Sequence, residues 1–362
     1  MAGVFIGPED PRWKGFLEGV RHDVYHRPEY VRMDAAPSGG KAVAFLGEVD
    51  GARCLIPLIE SPVPSGLGAP EGATDLASPY GYGHPLVDGD AGKLGACLRA
   101  FADACRERGA VGAFLRSNPL LSPPAGADLE WDAPASAARI VTRGETLVVQ
   151  LGRPLEEVRG ELRSEYKRRL NRLTRMGFDA VIDEWSHFDR FVEVYRLTME
   201  RLEAKSSYFF DRAYFDATRE DLRGNTHLVA VMSSHGARVV AAGLFFREAD
   251  RVQYHLAGWD PAYAEYSPSK LVLWSAIEWA NETGASCLHL GGGLGAREDE
   301  LFRFKRGFTD RRLPFYTMGV IADRAAYDKL VRASGAAPDE SYFPAYRSPH
   351  LQRPAAAAAA AG

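Results

Sequence analysis

Residues 289–308 read HLGGGLGAREDELFRFKRGF, from His289 to Phe308. Gly291, Gly292 and Gly293 follow directly on a strand candidate, Cys287–Leu290, and Gly295 comes two residues later. A run without side chains at a strand end is where backbone turns sharply and where a substrate can approach it closely. The segment then turns helical in pattern and ends on Phe304-Lys305-Arg306-Gly307-Phe308. A lysine held among aromatic rings and stripped of part of its water is a strong donor toward an oxyanion. The alternative is a solvated surface lysine beside Arg303 and Arg306. Gly291, Gly293 and Ala296 also spell G-x-G-x-x-A. Too little chain follows for a doubly wound sheet, and the strands upstream are hairpin-linked, so a dinucleotide fold is excluded.

Working upstream, apolar spacing predicts a strand over Thr146–Leu151 and then one long helix. In that helix Leu155, Val158, Leu162, Tyr166, Leu170 and Leu173 fall three and four apart, with Gly177 as the stop. A second helix is expected over Phe188–Leu202. Strands follow over His227–Met232, Arg238–Arg247 and Arg251–Ala257, separated by Ser234-His235-Gly236 and Ala249-Asp250. A helix over Pro268–Asn281, the Cys287–Leu290 strand, helical residues to Phe308 and a strand over Phe315–Ile321 complete the half. The order β-α-α-β-β-β-α-β-α-β resembles that of the GNAT acetyltransferase fold, in which two neighbouring central strands splay apart around the acyl donor. The first half fits a second copy: strands Val43–Glu48 and Cys54–Glu60 flank the hairpin turn Asp50-Gly51, then a helix Ala91–Arg108 and a strand Val111–Arg116 follow. The expected fold is therefore α/β (α+β), two tandem GNAT-like domains with mixed, mainly antiparallel sheets flanked by helices. Residues 1–145 with 322–350 form a degenerate acceptor-side domain, 146–321 the catalytic one, and 351–362 a disordered alanine-rich tail.

Composition sets the outer bounds. At 362 residues, two domains are expected. An apolar content of 46% and a charged content of 25% are those of a soluble globular protein. Pro and charged residues near the N-terminus exclude a signal peptide, no apolar run is long enough for a transmembrane segment, and a cytoplasmic monomer is expected. Cys54, Cys97, Cys105 and Cys287 show no zinc spacing and read as reduced thiols. A net charge of −4 argues against DNA as a partner. His22 and His26 have helical metal-ligand spacing, but Pro28 interrupts the helix and no third ligand is evident, so no metal is expected.

Locally the charge is different. The helix holds Arg159, Arg163, Lys167, Arg168, Arg169, Arg172 and Arg175, and the stretch KRRLNRLTR (167–175) has no acid. Such a strip is either a solvated face or a phosphate contact surface. The place where a CoA-dependent GNAT enzyme carries its glycine-rich pyrophosphate loop reads Ala264-Glu265-Tyr266-Ser267-Pro268-Ser269-Lys270. It has no glycine, Pro268 removes a donor, and Ser267 fits a helix cap. Coenzyme A is thus disfavoured as acyl donor, and no cofactor is expected.

LGGG…FRFKRGF, with SPYGYGHPL (78–86), DVYHRPEYV (23–31) and TMERLEAKSSYFF (198–210), resembles the Fem-type branch of the GNAT superfamily. Those non-ribosomal peptidyltransferases move an amino acid from aminoacyl-tRNA onto an amine of a peptide or peptide-like acceptor in cell-wall or antibiotic assembly. The resemblance implies that Lys305, with Phe304 beside it, contacts the reaction centre. It implies an acceptor side at Tyr25, Tyr30, Tyr80 and Tyr82, with Arg116 added; packing would suit those aromatics equally. Gly291, Gly292 and Gly293 would line the cleft. His289, Tyr254, His255 and Asp299 all stand as possible proton acceptors, and substrate-assisted transfer is equally open. Lys167, Arg168, Arg169, Arg172 and Arg175 would contact tRNA. The family's helical arm has no counterpart here. The competing readings are an acyl-CoA N-acyltransferase and a non-catalytic tRNA- or peptide-binding relic.

Overall fold

The computed structural model describes residues 3–121, 129–234, 238–337, 342–349 and 351. The turn residues His235 and Gly236 and all but the first residue of the expected tail lie outside these. The chain divides into two compact units, residues 1–142 with 316–362 and residues 143–315.

In chain order the first unit holds β1 (Val4–Ile6), α1 (Pro11–Glu18), α2 (Pro28–Ala35), β2 (Lys41–Val49), β3 (Ala52–Pro62), β4 (Thr74–Ala77), β5 (Leu86–Asp88), α3 (Leu94–Arg108), β6 (Ala110–Arg116), β7 (Trp131–Asp132) and the start of β8 (Ala137–Gln150). Strands β1, β2, β3, β4 and β6 lie side by side in that order. The β2–β3 hairpin turns at Asp50 (φ 50°) and Gly51 (φ 80°), both left-handed, as the Asp-Gly pair favours. Its core forms between the sheet and α3, around Phe45, Ile56, Leu98, Phe101 and Leu115.

The second unit continues with α4 (Leu155–Glu161), α5 (Ser164–Arg175), β9 (Asp179–Ile182), α6 (Phe188–Arg201), α7 (Arg212–Glu220), β10 (Thr226–Met232), β11 (Val239–Glu248), β12 (Arg251–Trp259), α8 (Ser269–Glu282), β13 (Cys287–Gly291), α9 (Glu300–Lys305) and the first half of β14 (Arg312–Ile321). Its strand order is β8-β13-β12-β11-β10-β9. All neighbours are antiparallel except β12 and β13. Leu147, Val149, Leu170, Val229, Phe245, Val272, Trp274, Leu288 and Phe302 form the core on one face of this sheet. A last helix, α10 (Arg324–Ser334), follows β14 in the first unit.

The single long helix expected over 155–173 is two helices. Leu162 and Arg163 are extended (ψ 141° and 140°), and the Arg163 N–H donates to Gly307 O at 3.0 Å. The apolar spacing runs through the break because both helices face the same core, so periodicity alone could not reveal it. The strand expected to close the catalytic unit at 321 also differs. From Thr317 to Ile321 it pairs antiparallel with Arg116–Gly112 of β6, which assigns its second half to the first unit. No described helix is long and apolar enough to cross a membrane.

Candidate functional site

The second unit's sheet is opened by one pair of strands. Parallel β12 and β13 are in register at Arg251–Cys287, Val252–Leu288 and Gln253–His289, and no further. β12 runs on to Trp259 and β13 to Gly291, so the pairing is lost at the carboxyl ends of both. This is the splayed central pair expected from the element order. On the last rung, His289 Nδ1 lies 2.7 Å from Gln253 Oε1. His289 is 1% exposed, and burial, reinforced by the charge of Lys305, pushes its pKa down to about 3. A histidine so depressed is a weak proton acceptor at neutral pH.

Lys305 sits just beyond that rung. It is 6% exposed, its Nζ donates to Gly292 O at 2.6 Å, and it lies 5.6 Å from the ring centroid of Tyr254. Burial pulls its pKa from 10.5 down to about 7, with Asp299 pulling weakly the other way. The solvated-surface alternative is thereby excluded. An amine that titrates near neutrality can both donate and accept a proton at working pH. Tyr254 is held protonated by burial, which raises its pKa.

The helix that carries Lys305 is only six residues long and depends on its cap. Asp299 Oδ1 accepts from Phe302 N at 2.9 Å and Oδ2 from Leu294 N at 2.7 Å. With both oxygens engaged by backbone, Asp299 shapes the loop, and its placement among the proton acceptors is corrected. The glycines have the same kind of reason. A Cβ on Gly292 would lie 2.9 Å from Glu145 O, and one on Gly293 would lie 2.1 Å from Arg297 O and 2.3 Å from Asp299 Oδ1. Gly291 has φ 71°, in the left-handed region. The close approach is made by the chain to itself. Gly293→Ala should therefore cost about 1–3 kcal/mol through overpacking, read as a lowered urea midpoint; an unchanged midpoint would show that the loop gives way freely.

Phe304 is half-buried. Its carbonyl accepts from the Tyr166 hydroxyl at 2.9 Å, and its ring stands near Tyr166 and Phe308 at 6.3 and 5.9 Å. Gly307 lets the Tyr166 ring close in, since a Cβ there would lie 2.1 Å from it. Two side chains that the sequence did not single out join this group. Lys270, at the start of α8, places its Nζ 4.6 Å from the Tyr166 centroid and 5.7 Å from that of Phe304. Burial lowers its pKa. Gln253 is the partner that fixes the His289 ring. Neither stood in a motif; a lysine just after a helix-starting proline was the only available signal.

His255, two residues after Gln253, shares its face of β12 and points away from Tyr254. Its Nε2 lies 2.9 Å from the Tyr214 hydroxyl, it packs on Phe246 at 4.3 Å, and burial lowers its pKa to about 3. Alternation along β12 puts it on the face opposite Tyr254, which packs on Phe245. It is removed from the candidates around Lys305.

The basic helix is α5. Tyr166, Leu170 and Leu173 are buried, while Arg163, Arg168, Arg172 and Arg175 are exposed. Lys167 donates to Gly160 O, Arg169 to Glu265 O and Arg175 to Asn171 O, all backbone carbonyls. Among the described residues no carboxylate stands at ion-pair distance from Lys167, Arg168, Arg169, Arg172 or Arg175. At the start of α8, Ser267 is left-handed (φ 53°) and makes no side-chain cap. Lys270 N and Leu271 N donate to Ser267 O and Pro268 O. The expected cap at Ser267 is thus a tight turn that uses two of the amides a pyrophosphate would need.

In the first unit, the aromatic cluster is packed largely inward. Tyr25 and Tyr30 are 2% and 0% exposed, with centroids 5.0 Å apart, and Tyr25 lies 5.6 Å from Tyr82. The Tyr30 hydroxyl donates to Tyr80 O, and Asp34 accepts from Tyr80 N. Arg116 Nη1 donates to Ser78 O at 2.6 Å and to Pro79 O at 3.3 Å. Tyr25, Tyr30 and Arg116 thus hold the 78–84 loop in place, while Tyr80 and Tyr82 reach the surface. His26 is engaged through Nδ1 by Asp23 N and through Nε2 by His84 O, so its lone pairs are not open to a metal. Among the described residues no group of three His, Cys, Asp or Glu side chains could hold one.

Residues 160–306 match the acetyltransferase (GNAT) domain family. FemX superposes over 87% of this chain and 97% of its own, with a TM-score of 0.64 and 13% identity. The C-terminal domain of an assigned lysylphosphatidylglycerol synthetase from Agrobacterium fabrum covers 89% and 93%, with a TM-score of 0.53 and 15% identity. A conserved protein of unknown function from Bacteroides thetaiotaomicron covers 87% and 98%, at 0.54 and 9%. No curated protein sequence matches the chain. At these identities the likeness is one of fold, and it agrees with the split strand pair, the two-unit division and the element order. The chain has a fold like that of FemX, and its residues 160–306 match the acetyltransferase (GNAT) domain family.

Proposed function

We propose that the protein is an aminoacyltransferase that takes an amino acid from aminoacyl-tRNA and places it on an amine of a peptide or peptide-like acceptor. The observation that carries this reading is Lys305, buried at the split of β12 and β13 with a pKa near 7. The acceptor nitrogen attacks the ester carbonyl carbon, the carbon–oxygen bond to the ribose breaks, and the amine proton ends on the ribose oxygen. Gly292 O and the Tyr254 ring aim Nζ, and its remaining hydrogens are placed to meet the oxyanion and then the leaving oxygen. Holding ester and amine in one cleft supplies the proximity. No covalent enzyme intermediate is needed, and no metal or cofactor takes part in the step.

Support for an ester of tRNA over a CoA thioester comes from the helix start at Ser267–Lys270, whose amides are turned inward, and from the unpaired cations of α5. The deciding experiment incubates the protein with charged tRNA pools and candidate amines and measures ester loss with amide formation. Turnover of acetyl-CoA with the same amines, and none of charged tRNA, would overturn the reading in favour of a CoA-dependent enzyme. Reversing charge at two exposed positions, Arg168→Glu with Arg172→Glu, should weaken tRNA binding about 10-fold or more and flatten the dependence of log Kd on log salt by roughly two charges. Anisotropy titrations at several salt concentrations check this. Unchanged affinity and slope would leave α5 as a solvated face.

A further inference from the structure

A strip of alternating rings and cations leads away from Lys305 within the second unit. Phe304 precedes the lysine, Tyr166 bonds to the Phe304 carbonyl, and Lys270 lies over both rings. One turn along α5 from Tyr166, Arg169 donates to Glu265 O at 3.0 Å, which ties the helix to the short 3-10 turn Pro261–Tyr266. That turn carries Tyr263 and Tyr266, both half-exposed, around the buried ring of Phe178. Phe178 lies 5.3 Å from Tyr266 and 6.4 Å from Tyr263, and the two tyrosines lie 6.1 Å apart. The Tyr266 hydroxyl bonds to the Glu265 carboxylate, whose hydrogen bond and charge raise its pKa, and the charge of Arg172 opposes this weakly. Core packing alone would not require two tyrosines to stand with their rings part-open beside Arg169 and Arg172, which among the described residues have no carboxylate at ion-pair distance, and near Lys270.

We infer that Tyr263 and Tyr266, backed by Phe178 and flanked by Arg169, Arg172 and Lys270, form a stacking platform for the single-stranded 3′ nucleotides of the acyl-donor RNA. Stacking on open rings is sequence-tolerant and phosphates between stacked bases need cations at that spacing, which is the chemistry of single-strand binding. The strip leads to Lys305, so bases seated on the tyrosines direct the esterified terminal ribose toward the strand split. This rests on the aminoacyl-tRNA reading and adds to it the residues that hold the donor's terminus.

The test compares intact tRNA with the same tRNA trimmed of its single-stranded 3′ nucleotides. The probe proteins are wild type, the double variant Tyr263→Leu/Tyr266→Leu, which keeps apolar burial, and Tyr263→Phe/Tyr266→Phe, which keeps stacking. The leucine pair should bind intact tRNA roughly 10- to 100-fold more weakly, and the phenylalanine pair within about 3-fold of wild type. Wild type with trimmed tRNA should show the same loss, and combining variant and trimming should add little. Salt dependence should be unaltered by the leucine pair. Thermal melts confirm that both variants fold. Equal binding of intact tRNA by wild type and the leucine pair overturns the platform while leaving tRNA dependence standing, as does a loss that adds fully to that of trimming. If wild type binds neither RNA, or acetyl-CoA binds and depends on the same tyrosines, the donor reading and the platform both fall.

Discussion

Replacing Lys305 by alanine is expected to lower turnover about 10²–10³-fold, the loss seen when an oxyanion donor is removed. The residual rate should also lose the inflection near pH 7 that Lys305 imposes on wild type. The same residue carries a stability cost, which separates its role from a structural one. Its pKa is about 7 when folded and 10.5 when exposed, so the unfolded chain binds a proton that the folded one releases between those values. Stability is therefore lost as pH falls from 10.5 toward 7, and the full cost is present at and below neutrality. At about 1.4 kcal/mol per tenfold change in proton affinity the ceiling is about 5 kcal/mol. Allowing for relaxation and for the Gly292 carbonyl left unbonded, Lys305→Met should gain roughly 1–3 kcal/mol in stability at pH 7 while losing activity. Chemical denaturation and single-turnover rates measured side by side check this. A methionine variant that is both less stable and fully active would remove Lys305 from the reaction.

The second large effect is on acid tolerance. His26, His84, His255 and His289 are held neutral, with pKa values pushed by burial to about 3, about 4, about 3 and about 3 from 6.5. Each lowered value means that the unfolded chain takes up a proton the folded chain refuses. Stability contributed by the neutral ring is intact above pH 6.5 and is lost as pH falls toward the folded values. At pH 5 this amounts to about 2 kcal/mol for each ring. His26 and His84 lie in the first unit and His255 and His289 in the second, so each unit should lose about 4 kcal/mol. Asp34 and Asp75, whose pKa values burial raises, oppose the loss, because the folded chain takes up their protons before the unfolded one does. Tryptophan fluorescence followed from pH 7 to 4 should show unfolding set in near pH 5. His26→Gln should move that onset downward; a signal flat to pH 4 would show that the rings reach solvent.

Much of the second unit was legible because its helices and strands keep clean periods. The three antiparallel strands β10–β12 and the helix α8 fall within a few residues of their expected bounds, as does the Asp50-Gly51 hairpin of the first unit. The break at Leu162–Arg163 was not legible, because a period reports which face is buried and the same face is buried on both sides of it. The first unit was vaguer because α1 and α2 are short and open on prolines, giving too few turns for a period to emerge.

The site divides along the same line. The sequence by itself determined most of the element order, missing β9 and α7, and also the glycine run and the Phe304-Lys305 pair, since these depend on local pattern. Only the tertiary structure decided what each side chain does. Lys305 is buried because the Gly292 turn and Tyr254, a residue from a different strand, close over it. Asp299 turns from a base into a cap, and Arg116 anchors a loop, because nearby backbone groups claim them first. Lys270, Tyr263 and Tyr266 gain meaning only where α5 and the start of α8 meet. Proton affinity and access are set by neighbours in space, and a linear pattern carries no record of them.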